Sequence, residues 1–307
     1  MKVELVALGV VSAAAGVYGW GASGHQTVGY VAMQFLSPKA LEFVQTSLGS
    51  TYSHSLGPAA TWADEVRSQS AYSWSSVLHY VDAEDDPPDS CSVEESRDCA
   101  DGRCILTAIA NYTSRVVDTS LSDTQRQEAL KFLDHFVGDI GQPLHVEARA
   151  VGGNTISVQC NGATTNLHAL WDSGMINRLL PGTYNNSVTN WANTLVNRIK
   201  SGPYSSLAES WISCSSTTEP ARRSVEDDML ALLHPRADGT LACPLVWARD
   251  SNLLDCSTVF DYTTGEDLCT SSYYTRNIPL IETQIAKQGF RLAAWLNVLF
   301  DGVTSLP

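Results

Sequence analysis

Phe132-Leu-Asp-His135-Phe-Val-Gly-Asp139-Ile-Gly-Gln-Pro-Leu-His145, followed by Asn166-Leu-His168-Ala-Leu-Trp-Asp172, decides how the rest of the chain is read. Each half sets a His and an Asp four residues apart, His135 with Asp139 and His168 with Asp172. On a helix these positions lie one turn apart on one face, so each pair can aim an imidazole and a carboxylate at a common point. The neighbours Leu130, Phe132, Leu133, Phe136, Val137 and Ile140 are apolar, which turns the polar groups inward. A buried carboxylate or imidazole needs a partner, and a metal ion is one of few adequate ones. One such pair is as readily a surface pair or a capping accident. Two of them, with His145 between, point to a metal site.

Helical periodicity extends on both sides of that stretch, with Leu, Ala and Val in stripes and few alternating runs. It predicts helices over 24–36, 38–48, 56–65, 105–117, 123–141, 166–179, 188–200, 204–212 and 278–300. The last carries Ile281, Ile285, Leu292, Leu296 and Leu299 as its core stripe. Residues 82–103 read as an acidic loop, 151–154 as a turn, 155–158 as a hairpin strand, and 213–243 as less regular. No repeat or composition break divides the chain. The expectation is one mainly α domain.

Residues 1–19 read as a signal peptide, with Lys2, an apolar run from Leu5 to Ala15 and small residues before position 20. The domain then spans 20–307, secreted, and no later run reaches the roughly 18 apolar residues of a membrane span. Eight cysteines suit an oxidising compartment. Cys99 and Cys104 could clip a short loop, while Cys91 needs a distant partner; zinc–thiolate ligation is the rival reading, but no CxxC occurs. Asn111-Tyr-Thr113 and Asn185-Asn-Ser187 are glycosylation sequons.

The net charge is −14, and losing Lys2 and Glu4 together leaves it there. No basic stripe appears, so a polycationic nucleic-acid surface is excluded. A phosphate substrate would have to be held by bound cations instead. The candidate ligands form a longer series: His25 and His79, with Asp64, join the central histidines. His and Asp without thiolates suit zinc.

Trp20-Gly-Ala-Ser-Gly-His25, Trp62-Ala-Asp64, His79-Tyr-Val-Asp82, His135 to His145, Gly152-Gly-Asn154 and Asn166 to Asp172 together resemble the S-one/P-one nucleases. These are secreted fungal and plant single-strand-specific zinc nucleases, and the likeness runs in order from Trp20 to the C-terminal helix. It implies the helical fold shared with zinc phospholipases C, built around three zinc ions. The first zinc would be held by Asp64, His79, His135 and Asp139, the second by His145, His168 and Asp172. The third would take the α-amino nitrogen and carbonyl of Trp20 with His25, bridged by Asp139. Trp20 would then become a ligand only after cleavage frees its amine.

The mechanism so implied has zinc-acidified water attack phosphorus in line, one zinc stabilising the leaving 3′ oxygen. Arg67 would neutralise phosphoryl charge; its other reading is a solvated helix residue. Tyr80 would stack on a base, with Asp82 and Asn154 at its edge and Val151 and Gly153 as a wall; Tyr80 as core packing is the alternative. A base in a duplex cannot enter such a slot, so single-stranded DNA and RNA are the expected substrates of this monomer, giving 5′-phosphates, with 3′-nucleotidase activity alongside. The resemblance pairs Cys91 with Cys256 and Cys99 with Cys104. Cys160, Cys214, Cys243 and Cys269 are extra, read as Cys214–Cys243 across an insertion at 222–245 and Cys160–Cys269. His54 and His234 match no ligand position. The rivals are a phospholipase C and an inactive zinc-binding interaction protein.

Overall fold

The computed structural model describes residues 20–214, 216–219 and 240–302. The signal-peptide reading at 1–19, His234 and residues 222–239 of the expected insertion lie outside them. Helices α1 (Ala22–Met33), α2 (Pro38–Leu48), α3 (Leu56–Ala59), α4 (Trp62–Val66) and α5 (Glu95–Asp98) precede α6 (Ile105–Val117) and α7 (Asp123–Asp139). A hairpin of β1 (Ser157–Cys160) and β2 (Ala163–Asn166) leads into α8 (Leu167–Ala169), α9 (Met175–Thr183) and α10 (Val188–Lys200). Then come α11 (Ala208–Trp211), α12 (Ala242–Leu254) and α13 (Ser272–Asp301). The chain is mainly helical, as its periodicity predicts, and no described helix is long and apolar enough to cross a membrane.

The organising element is α7. Its first turn is closed by reciprocal capping: Ser122 Oγ accepts from Gln125 N, and Gln125 Oε1 accepts from Ser122 N. From Ala129 to Asp139 every residue is buried. A helix buried all round must be surrounded by other elements, and α1, α2, α4, α6 and α13 all pack on it. The stripe on α13 lies where predicted: Ile281, Ile285, Leu292 and Leu296 are fully buried, with Leu299 half-buried against them.

Several boundaries differ. The helix expected over 56–65 is two short ones, α3 and α4, parted at Ala60 and Thr61. The break turns the Ala60 carbonyl toward the core, where it accepts from His135 Nδ1 at 2.6 Å. The expected 166–179 helix continues to Thr183 but opens into a wider π turn over Leu170–Gly174, which contains Asp172. Such turns often mark functional sites. The 204–212 helix shrinks to α11, α13 begins six residues early, and α12 arises partly inside the stretch read as irregular. A 3₁₀ helix over Ser73–His79, absent from the periodicity, carries one candidate ligand at its end.

Four disulfides close among the described residues: Cys91–Cys256, Cys99–Cys104, Cys160–Cys269 and Cys214–Cys243. All four match the expected pairings, and no cysteine is left for a thiolate metal site. Asn111 and Asn185 are both exposed.

Candidate metal centre

Three clusters of His and Asp converge beneath the helices: His25, His135 and Asp139; Asp64, His79 and His135; and His145, His168 and Asp172. Each arrives from a different element. His25 comes from α1, Asp64 from α4, His79 from the end of the 3₁₀ helix, and His135 with Asp139 from adjacent turns of α7. His145 follows the turn after α7, His168 lies in α8, and Asp172 in the π turn.

Asp139 is the hub. One carboxylate oxygen lies 3.0 Å from His79 Nδ1 and 3.2 Å from His135 Nε2. The other lies 3.1 Å from His25 Nε2 and 3.7 Å from His145 Nδ1. Burial opposes its charge, but the surrounding His135, His145 and His25 hold it well below the usual carboxylate range. Asp64 Oδ1 is 3.6 Å from His135 Nε2 and 3.8 Å from His79 Nδ1. Burial lowers His25, His79 and His145 toward the neutral imidazole, the form that ligates.

The second cluster provides the test of whether a cation fits. His145 Nδ1 faces the His79 carbonyl at 2.8 Å, and His168 Nδ1 faces the Gly152 carbonyl at 2.6 Å. A ring nitrogen facing a carbonyl carries a proton, so in the neutral imidazole the lone pair lies on Nε2. The two Nε2 atoms are nevertheless 3.1 Å apart, with Asp172 Oδ2 at 3.2 Å from that of His168. Two imidazole nitrogens and a carboxylate at that spacing suit a shared cation. Carbonyl-oriented imidazoles with carboxylates are also the usual outer arrangement of a zinc site. The residues fit a metal.

Two glycines make room. A Cβ at Gly138 would lie 2.9 Å from His25 Nδ1, so the glycine lets α1 bring His25 onto α7. Gly152 sits at φ +56° with the Leu144 carbonyl 2.5 Å from where its Cβ would be. It belongs to a run of four left-handed residues, Ala150, Val151, Gly152 and Gly153. Val151 is β-branched and 62% exposed at φ 59°, a conformation such a residue adopts only under constraint.

One residue that touches the clusters escaped the sequence reading. Gln142 is fully buried, its Nε2 donating to Asp172 Oδ1 at 2.6 Å while its Oε1 accepts from Leu144 N at 2.7 Å. Both ends of the amide are used, so Gln142 fixes the carboxylate from behind. Between a glycine and a proline it reads as part of a turn; only the ligand spacing around it could have singled it out. Gln142→Leu is expected to weaken metal binding at the His145–His168–Asp172 cluster about 10- to 100-fold, read by competition with a chromogenic chelator.

The remaining expected residues fall around this centre. Trp20 is fully buried, and the adjacent Gly21 N donates to the Asp172 carbonyl at 2.8 Å, which brings the chain near position 20 to the clusters. Arg67 is 9% exposed with Nε 3.4 Å from Asp64 Oδ1, which removes its reading as a solvated helix residue. Tyr80 is half-buried next to His79. Asp82 is open to solvent at its edge; partial desolvation, then the Glu84 and Asp98 carboxylates, push it up to about 6. Asn154 Nδ2 donates to the Val151 carbonyl at 2.8 Å, closing the left-handed turn. Gly153 is buried beside Leu144. His54 lies away on the surface, its Nδ1 2.9 Å from the Gln45 carbonyl.

A sequence model described as S1/P1 Nuclease matches residues 20–301 of the chain. Nuclease P1 of Penicillium citrinum is 44% identical over 283 residues, which cover 91% of this chain and 97% of the relative. Nuclease S1 of Aspergillus oryzae is 37% identical over 286 residues, 92% of each chain. Endonuclease 2 of Arabidopsis thaliana is 31% identical over 307 residues, 96% of each.

Proposed function

The chain belongs to the S1/P1 nuclease family, and from that premise we propose that it is a secreted, zinc-dependent endonuclease of single-stranded DNA and RNA. Three zinc ions are its cofactor in this reading, 5′-phosphates its products, and 3′-nucleotides further substrates. The observation that carries it is the facing pair of His145 and His168 lone pairs, flanked by the Asp139-centred clusters. Asp64, His79, His135 and Asp139 would hold one ion, and His145, His168 and Asp172 another. His25, Asp139 and the amine and carbonyl of Trp20 would hold the third. When bound, the ions supply Lewis acidity toward phosphoryl oxygens and an acidified water.

The chain's own groups do the rest. Asp139 gathers four imidazoles and keeps its charge. Arg67, held against Asp64, offers guanidinium donors to phosphoryl oxygens as charge builds there. Tyr80 offers a ring face, and Asp82 and Asn154 offer polar edges, to one unpaired base. This arrangement suits a nucleobase better than a lipid headgroup, which sets aside the phospholipase reading. The test is cleavage of a single-stranded oligonucleotide beside its duplex, by zinc-loaded protein and after chelation. Chelator-sensitive cleavage of the single strand, leaving 5′-phosphates, is expected; zinc-loaded protein starting at Trp20 that leaves oligonucleotides intact overturns the reading.

Asp82 adds a pH dependence. It holds its proton below about pH 6 and releases it above, so rising pH adds a negative charge to a slot that must accept a polyanion. KM for single strands is therefore expected to rise through pH 6, with a flatter profile in Asp82→Asn. A KM that falls steadily toward alkaline pH, with zinc saturating, contradicts this assignment.

A further inference from the structure

We propose that Trp74 is a second base-stacking platform, which takes a nucleobase of the single strand several nucleotides away from the base held at Tyr80. This rests on the reading of the chain as a single-strand nuclease and extends it from one nucleotide to a strand.

Trp74 is 47% exposed and is the only aromatic among the large apolar side chains left open in the described residues. It is held rigidly. Its Nε1–H donates to the Ala71 carbonyl at 2.9 Å, and its ring leans on Phe132 at 5.8 Å and on Tyr72 at 6.4 Å between centroids. Behind these rings Trp62 packs on both Phe132 and Tyr72. The wall is tied to the metal centre at three points. Trp62 is two residues before Asp64, Phe132 is one turn before His135, and the 3₁₀ helix that carries Trp74 ends at His79. Five residues of that helix place Trp74 about 10 Å of helix rise from the ligand. At about 3.4 Å per stacked base, this is the span of some three nucleotides.

The segment that carries it is free of acids in a chain of net charge −14. The carboxylate beside the wall is Glu128, which accepts from the Tyr72 hydroxyl, and Lys131 stands near it over the Trp62 ring. From Val66 to Val81 there is no Asp or Glu, while Arg67 stands at one end and Tyr80 near the other. Ser68, Gln69, Ser70, Ala71 and Ser73 are exposed, so the apron between Arg67 and Trp74 is neutral and small. An exposed indole with a supported back and a neutral approach is what stacking on an arbitrary base requires. Such stacking is sequence-tolerant because every base has a π face.

The test uses zinc-loaded protein and a fluorescein-labelled deoxythymidine decamer, with binding read by anisotropy and cleavage read separately. Trp74→Ala is expected to weaken binding of the decamer and raise its KM about 5- to 150-fold, the range for losing one base–aromatic stack. Trp74→Phe should recover most of the loss. Hydrolysis of a 3′-mononucleotide, and binding of an abasic decamer with the same phosphates, should not change. Equal losses on the mononucleotide and the decamer, or an unchanged decamer, would overturn the platform. A protein that binds the decamer through Trp74 without cleaving it keeps the platform and removes the nuclease reading. Cleavage indifferent to Trp74 does the reverse.

Discussion

Asp139→Asn is expected to lower kcat/KM on a single-stranded substrate by on the order of a thousandfold or more, with little change in helical content. The size follows from geometry. Asp139 is fully buried, and its two oxygens lie within 3.7 Å of four histidine nitrogens. Removing a single preorganised electrostatic contact at an active centre costs about a hundred- to a thousandfold. Here the substitution removes the shared charge of two clusters at once and puts an amide N–H where a lone pair is needed. The amide is nearly isosteric, so the packing of α7 is left intact. The measurement is steady-state cleavage alongside metal content by elemental analysis, which should drop by at least one ion per chain. A variant with full metal and near-native turnover would show that Asp139 is only a structural partner of the histidines.

Removing the metal should also unfold the protein at a lower temperature. Without cations, Asp139 Oδ1 is met among the described residues only by the His25 and His145 rings, and Asp64 Oδ1 only at long range, with Arg67 Nε nearest at 3.4 Å. Two imidazole Nε2 atoms face each other at 3.1 Å. Ligand that binds only the native state adds RT ln(1 + [L]/Kd), about 4 kcal/mol when free metal stands a thousandfold above Kd. At about 2 °C per kcal/mol for a large domain, one such site moves Tm by roughly 8 °C and several move it further. Differential scanning calorimetry before and after chelation, then after zinc is returned, reads this directly. A Tm that ignores chelation would mean that the carboxylates and imidazoles satisfy one another by shared protons, and the metal assignment would fall.

The pairing of His135 with Asp139 was legible because its spacing is a helical one. His135 and Asp139 are ligand candidates from sequence only because α7 stays regular through both. Helices α2, α6 and α10 match their predicted bounds for the same reason: each has a clean stripe and a cap or proline at its start. What the sequence hid is the irregular backbone that serves the centre. The break at Ala60 has no local signal; it is stabilised by a hydrogen bond to His135, 75 residues away. The 3₁₀ helix at Ser73–His79 is serine-rich and lacks any apolar period, and its order comes from packing against α6 and α7. In α12, Pro244 falls in the first turn, where a missing N–H costs nothing. In α13, Pro279 lies inside a helix where prolines ordinarily mark an edge, so its first turns are hard to foresee.

The left-handed run at Ala150–Gly153 has a consequence for how such an enzyme can be altered. Val151, on its outer side, is the proposed wall of the base slot, while the Gly152 carbonyl one residue on orients His168. Backbone that must stay in a sparsely populated conformation cannot absorb a substitution by shifting locally. A change selected for a new base preference at Val151 would therefore be inherited by the imidazole, and a library built there should be dominated by metal-poor clones. Tyr80 and Asp82 carry no such linkage through this turn, which makes them the positions where preference can drift, by selection or by design, without loss of the cofactor.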